Sequence, residues 1–255
     1  MMRAVVASEL LKLRSVTTTY RAIGVAALMV VLGAVWTFYV GTMADERGSI
    51  RAAAPEQGFL PLLQTSLALL GVLAITSELA TGMVRTSLVV VPRRGVLFAA
   101  KAGVVGAVTF GGAVTILLTT YATSRLIAGD RLLGFNQSSL AADLPMLLAS
   151  GLSVTVLALV GLGLGCATRS TAAGIVSVVS LLFVLPGIAT YLPPPWNTRV
   201  ASFMLPNLVP QIAGDQLSRR LGDGLLPPWA ALATLIFYAA VTLGAAFYLF
   251  KRRDA

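Results

Sequence analysis

Long apolar runs alternate with short polar stretches along the whole chain, and this alternation predicts the fold. Each run approaches the ~20 helical residues that are needed to cross a hydrocarbon core of about 30 Å. No Asp, Glu, Lys or Arg lies near the middle of a run, where one charge would cost about 2.5–3.5 kcal/mol on insertion scales. We therefore predict an all-α integral membrane protein, a single domain over residues 1–255 with six spanning helices. The six runs cover residues 22–43, 59–79, 102–124, 144–167, 172–190 and 229–250.

The most structured polar segment, Ser77–Lys101, lies between the second and third runs (SELATGMVRTSLVVVPRRGVLFAAK). Its first polar residues recur at i, i+3, i+4 and i+7, which places them on one face of a helix at the membrane boundary. Pro92 is expected to end this helix, which would turn the chain between two spans and present a polar face to a partner. The alternative is a capped, solvated helix end with an exposed ion pair. The polar face consists of Glu78, Thr81, Gly82 and Arg85, and the basic residues that follow are Arg93, Arg94 and Lys101.

The stretch from Met2 to Ser15 precedes the first apolar run and has an amphipathic pattern. Its polar residues include Glu9 and Lys12, and it is predicted to form a short helix in the inner membrane interface. The alternative is a solvated flank of the first span. The apolar stripe of the helix is expected to consist of Met2, Val6, Leu10 and Leu13.

The loop over residues 191–228 contains an apolar segment that is too short to cross a membrane. This segment, Val200–Ala213, is interrupted by Pro206 and Pro210. A re-entrant or interfacial pair of short helices fits this pattern, and its function would be that of a lid over a pathway. A loop that lies on the surface is the alternative.

The composition agrees with a membrane protein and excludes several kinds of chemistry. Of the 255 residues, 57% are hydrophobic and 11% are charged, whereas soluble domains carry roughly 25% charged residues. Histidine is absent, which excludes histidine triads, proton relays and metal ligands. The single cysteine, Cys166, excludes an intrachain disulfide and is expected to pack inside a span. No metal site is predicted. Close helix approach is expected at Gly161, Gly163, Gly165, Gly103, Gly106, Gly111 and Gly112.

The net charge of +9 is distributed unequally over the polar segments. If the N-terminus is cytoplasmic, the cytoplasmic segments carry twelve basic and three acidic residues, and the outer segments carry seven of each. This asymmetry obeys the positive-inside rule and places both termini in the cytoplasm. The basic residues are spread among apolar runs, so the lipid bilayer explains them and nucleic acid is not expected as a partner.

Several of these segments together resemble the permeases of ABC type-2 exporters. They are SELLKLRS, ELATGMVRTSLVVVPRR, the turn GLGLGCATRS after the fourth run, the proline-containing element before the last run, and the tail KRRDA. The resemblance covers essentially the whole chain and is closest to small bacterial permeases. Its most specific part is the Glu-x-x-x-Gly-x-x-Arg spacing at Glu78, Gly82 and Arg85.

The resemblance implies a subunit of the bacterial cytoplasmic membrane that exports a hydrophobic or amphipathic compound such as a drug, an antibiotic, a peptide or a lipid-like molecule. Such a permease pairs with a second chain, expected to be identical, and docks two separate ATPase subunits. ATP and magnesium would bind to those subunits, and this chain would bind no cofactor and would not itself be an enzyme. The sequence has no G-x-x-x-x-G-K-[ST] motif, in agreement with that division of roles.

The resemblance also implies roles for particular segments. Met2–Ser15 would be the elbow helix, with Glu9 and Lys12 on it, and Leu79–Val91 would be the coupling helix. The element at 200–213 would be the outer gate, with Pro206 and Pro210. The residues implied in ATPase docking are Glu78, Thr81, Gly82, Arg85, Arg93, Arg94 and Arg169.

Two other classes of protein are weaker readings of the same sequence. An ion-coupled secondary transporter usually needs carboxylates or broken helices at mid-depth, and no span has a central acid. An intramembrane enzyme needs groups for acid–base chemistry, and the sequence has no histidine and no acid pair within a span.

Overall fold

The computed structural model describes residues 2–13, 16–91, 93–214 and 225–252, and every regular element within them is helical. The predicted ends of two helices, at Ser15 and Pro92, lie outside these ranges. The helices are α1 (Met2–Leu13), α2 (Val16–Arg47), α3 (Pro55–Gly58), α4 (Leu60–Ala80), α5 (Met83–Val90), α6 (Arg94–Ala128), α7 (Leu140–Thr168), α8 (Thr171–Val179), α9 (Leu185–Ala189), α10 (Trp196–Phe203), α11 (Leu205–Ala213) and α12 (Pro228–Arg252). A π-helical turn, Ser180–Val184, joins α8 to α9.

Six helical segments of the described chain are long and apolar enough to span a membrane, which confirms the predicted number. Their ends agree with the apolar runs to within a few residues, except that α6 begins at Arg94 instead of residue 102. Lys101 therefore lies inside a spanning helix. The segments are Gly24–Arg47, Leu60–Ala80, Arg94–Ala128, Leu140–Thr168, Thr171–Ala189 and Pro228–Arg252.

Helix α7 is the central element of the bundle and packs against α4, α6, α11 and α12. In its most apolar stretch of 18 residues, 78% of the residues are buried, compared with 50% or less in the corresponding stretches of the other spans. Glycines permit α4 and α7 to approach each other closely. A Cβ at Gly161 would overlap the carbonyl of Ala68, and a Cβ at Gly71 would overlap the carbonyl of Ala158. A Cβ at Gly163 would lie 2.8 Å from the carbonyl oxygen of Thr242.

The predicted close approach is thus confirmed for the glycines of α7 and is wrong for most of those in α6. A Cβ added at Gly103, Gly111 or Gly112 would meet nothing within 4 Å, because these positions lie on an uncovered face of α6. A Cβ at Gly106 would reach only the side chain of Leu159, at 3.8 Å. Cys166 is buried, as expected.

The two ends of the bundle differ in the elements that cover them. At the end with both termini, which we call the terminal end, α1 packs on the start of α6, and Arg94 Nη1 donates to the carbonyl of Phe250 in α12 at 3.3 Å. The opposite end carries α3, α10 and α11.

The predicted pair of short helices before the last span is present as α10 and α11, with the extended residue Met204 between them. Leu205 and Leu208 of α11 are buried against α7 and α12, so this pair belongs to the bundle. Its re-entrant position in a membrane stays a prediction.

Candidate functional site

Four charged side chains meet inside the terminal end of the bundle, and we call them the four-charge cluster: Glu9, Lys12, Glu78 and Lys101. Lys101 Nζ donates to Glu9 Oε2 at 2.5 Å and to Glu78 Oε1 at 2.8 Å. Lys12 Nζ lies 2.7 Å from Glu9 Oε1 and 3.2 Å from Glu78 Oε1. The cluster therefore ties α1 to the last turn of α4 and to the early turns of α6.

Burial makes these contacts strong determinants of the local structure. Glu9, Glu78 and Lys101 are 2%, 6% and 5% exposed, and only Lys12 reaches water appreciably. The cluster has two carboxylates and two ammonium groups, so its charges balance, as buried charges require. Burial alone would lower the pKa of Lys12, but the hydrogen bond to Glu9 and the charge of Glu78 outweigh it and raise that pKa. Glu78 Oε2 is buried without a hydrogen-bond partner among the described residues.

The helix predicted over Leu79–Val91 is not continuous, and this corrects the placement of its polar face. Helix α4 ends at Ala80, Gly82 takes a left-handed conformation with φ 70°, and α5 begins at Met83. A side chain at position 82 would be strained in this conformation, so glycine permits the break. Glu78 and Arg85 consequently do not share one helical face: Glu78 is buried in the four-charge cluster, whereas Arg85 is exposed on α5.

The apolar stripe predicted for α1 is also corrected. Among the α1 side chains that the structure describes, Val5 and Glu9 are buried, whereas Val6 is 37% exposed. Glu9 was expected on the polar, wet face, but it points into the bundle because Lys101 of α6 supplies its partner there. The side chains of Met2 and Leu13 lie outside the described part.

Four of the predicted docking residues surround one cavity at the terminal end. Thr81, Gly82, Arg85 and Arg169 line this space of about 480 Å³, which lies beside the junction of α4 and α5. Arg169 has a left-handed backbone with φ 52° at the end of α7. It belongs to the short turn between α7 and α8, which lies beside α5 in the cavity lining. The other predicted docking residues, Glu78, Arg93 and Arg94, are not part of the cavity lining.

Sequence reasoning missed the role of Lys101, which it treated only as added positive charge. A signal was present, since a lone lysine inside a helix that is otherwise apolar needs an acidic partner at the same depth. It also missed Ser87 of α5, whose Oγ accepts a hydrogen bond from Lys12 Nζ at 3.3 Å.

A second charge cluster, also missed, lies at the opposite end of the bundle around Arg125. Its Nη1 lies 2.8 Å from Glu56 Oε1 and its Nη2 lies 3.4 Å from Asp143 Oδ2. The guanidinium also donates to the carbonyl of Phe135 and stacks 3.8 Å from the ring centre of Tyr121. Burial raises the pKa of Glu56, and the charge of Arg125 offsets part of this rise. The contacts join α3, α6 and α7.

Among the residues that the structure describes, no group of three or more Cys, Asp or Glu side chains is arranged to hold a metal ion. No model of a known protein family matches the chain, and no characterised protein matches it. The class that fold and site define is a helical, multi-pass membrane protein with a buried charge cluster at each end.

Proposed function

We propose that this chain is the membrane-spanning permease subunit of an ATP-driven exporter, which moves a hydrophobic or amphipathic compound outward across a bacterial cytoplasmic membrane. Two separate ATPase subunits would bind ATP and magnesium, and a second, identical permease chain would complete the complex. One observation carries the proposal: α5, a short helix between two spans, is anchored through the four-charge cluster to α1, α4 and α6.

This anchoring suits the transmission of force. Val84 of α5 is buried in a hydrophobic cluster that also contains Ile75 and Phe250. Leu88 of α5 packs against this cluster. Lys12 connects Ser87 of α5 to both carboxylates of the cluster. A displacement of α5 would therefore move the ends of α4 and α6, and with them two spans, as a packed unit.

The outer face of α5 suits a docked protein. Val89 is 84% exposed and Met83 is 45% exposed, on a helix outside the spanning segments. Val89 lies one turn after Arg85 on the same face, and an exposed apolar side chain beside an arginine is the kind of surface that a protein partner covers. The sequence lacks a phosphate-binding loop, so hydrolysis would come from that partner.

A proton-coupled transporter is the second candidate, and the observation that favours it is the unpartnered, buried Glu78 Oε2. Carboxylates inside spanning segments are typical of the pathways of ion-coupled transporters. Against it, the other oxygen of Glu78 is held by Lys101 Nζ at 2.8 Å, and the pair lies at one end of the bundle and not at mid-depth. This candidate requires transport without any ATPase.

We expect Arg85→Ala to weaken ATPase docking by about fivefold or more, because arginine is enriched among the interface residues whose removal costs over about 1 kcal/mol. Arg85 is exposed, so its removal strands no buried charge and should leave membrane insertion unchanged. The measurement is the affinity of the chain, in lipid nanodiscs, for an ATPase encoded beside its gene, together with ATP hydrolysis. The chain alone is expected to hydrolyse no ATP.

Arg199→Ala, an exposed change in α10 at the opposite end, is the control for Arg85→Ala and should leave ATPase binding unchanged. Equal affinity of Arg85→Ala and the unaltered chain would contradict the docking role of α5. Full transport by the chain without an ATPase would contradict the exporter and favour the second candidate.

The proposed orientation predicts which cysteine substitutions react from each side of the membrane. In a Cys166→Ala background, Arg169→Cys should react with a membrane-impermeant maleimide only from the cytoplasm, and Arg51→Cys only from outside. Both positions are exposed and lie at opposite ends of the bundle. Labelling of Arg169→Cys in intact cells would show that the orientation is inverted.

A further inference from the structure

A cavity of about 150 Å³ lies between α3, α4, α7 and α11, and neither charge cluster lines it. Its lining runs from exposed Gln57 to the buried residues Gln64 and Ser150. Gln57 therefore marks the mouth, and Gln64 and Ser150 mark the floor. The wall on the α11 side includes Pro206 and Pro210, the two residues that sequence reasoning assigned to a gate.

The floor and wall of the cavity offer several hydrogen-bond acceptors. Gln64 Nε2 donates to Ser153 Oγ at 2.8 Å, which fixes the amide, and no donor in the described part of the chain reaches its oxygen. Pro210 has no N–H, so the carbonyl of Pro206, four residues earlier in α11, lacks its helical donor. Ser150 adds a hydroxyl that can accept or donate.

The rest of the lining is apolar and uncharged. Leu60, Met146 and Val209 contribute hydrocarbon, and among the residues that the structure describes no Asp, Glu, Lys or Arg lines the cavity. The nearest acid in sequence, Glu56, is held by Arg125 at 2.8 Å. Placing an ion in such a site would leave it without a counter-charge, which is strongly unfavourable. The acceptors instead suit a neutral ligand that donates hydrogen bonds.

We propose that this cavity binds one end of an uncharged amphiphile, which inserts a hydroxyl or amide N–H group toward Gln64, Ser150 and the Pro206 carbonyl. A volume of about 150 Å³ holds roughly one six-membered ring, so the remainder of the ligand lies outside the cavity. That the ligand is the exported compound rests on the proposed function, whereas the binding itself does not.

The test uses photoactivatable probes and the full chain alone in lipid nanodiscs. Three probes share one diazirine-bearing alkyl chain and end in an alcohol, a carboxylate or a quaternary ammonium group. Cross-linked peptides are mapped by mass spectrometry. We expect the alcohol to label the cavity peptides around Gln64, Ser150 and Pro206 at least fivefold more than either charged probe does, relative to labelling of the lipid-facing surface of α12.

Two substitutions examine the cavity itself. Ser150→Leu fills the floor and should abolish this preference, and Gln57→Leu at the exposed mouth should reduce it without any demand on folding. The matched control is Leu148→Phe, which adds bulk to an exposed position on the same helix and should leave labelling unchanged. Equal labelling by the charged probes, or a preference that survives both cavity substitutions, would overturn the proposal.

Failure here and failure of the exporter assignment are distinguishable. If the alcohol labels the cavity but no ATPase binds to α5, the site stands and the exporter assignment fails. If an ATPase binds to α5 but the cavity shows no preference, the exporter stands and the ligand class proposed here fails.

Discussion

Lys101→Met should lower the free energy of unfolding by about 3–5 kcal/mol, because it leaves buried carboxylates without their partner. Lys101 Nζ contacts both Glu9 and Glu78, which are 2% and 6% exposed. Methionine preserves the length and most of the volume of lysine, so the loss would come from charge and not from a cavity. Lys12 can neutralise only one of the two remaining carboxylates.

The loss is measured as the free energy of unfolding in mixed micelles titrated with dodecyl sulfate. Adding Glu9→Gln to Lys101→Met restores the balance of charges and should recover part of the loss, with a coupling of about 0.5–3 kcal/mol. Lys251→Met, an exposed change in the last turn of α12, serves as the control. A loss below about 1 kcal/mol for Lys101→Met, within the range of an exposed pair, would contradict a buried role for the cluster.

Arg125→Leu should cost about 3–5 kcal/mol at pH 8, and this loss should depend on pH. The reason is Glu56, which is 3% exposed and would lose its counter-charge. The folded-state pKa of Glu56 already lies above its ordinary value because of burial, and removing Arg125 would raise it further. Such a group favours folding below its unfolded pKa and loses this contribution as the pH rises through its folded pKa.

The defect of Arg125→Leu should therefore shrink as the pH is lowered from 8 toward the raised folded-state pKa of Glu56, because protonation removes the unpaired buried charge. Unfolding measured over this range tests the sign directly. Glu56→Gln in the same background should remove the pH dependence. Arg131→Leu breaks an exposed pair with Asp45 and a hydrogen bond to the carbonyl of Ile127, strands no buried charge, and should show neither effect. A defect that grows toward low pH would show that Glu56 is not the buried charge responsible.

The spans could be predicted from the sequence because the signal is local. About 20 consecutive apolar residues suffice to identify a spanning helix, whatever its neighbours. A pair of short helices was predicted on the same basis within Val200–Ala213, but α10 begins earlier, at Trp196, and the break falls at Met204 and not at the prolines, which both lie in α11. The early start of α6 was missed because Arg94 and Lys101 lowered its hydropathy, although Lys101 is neutralised by α1 and α4.

The charge clusters could not be predicted in the same way, because they depend on residues that are distant in sequence. Glu9 and Lys101 are 92 positions apart and meet only when α1 packs on α6. Helical spacing alone suggested one face for Glu78 and Arg85, and it missed the left-handed turn at Gly82 that separates them. Spacing describes a continuous helix, whereas one glycine is enough to redirect the chain.

If an ATPase subunit covers the exposed face of α5, as we propose, cross-linking from Val89 is the most direct way to detect it. A photoreactive benzoylphenylalanine at this 84% exposed position would attack whatever lies against it in native membranes. The control is the same group at Phe237, which is 65% exposed in the middle of a spanning helix and should yield lipid adducts. We predict that Val89 yields a protein adduct whose peptides contain a G-x-x-x-x-G-K-[ST] motif, and lipid adducts alone from Val89 would contradict the claim.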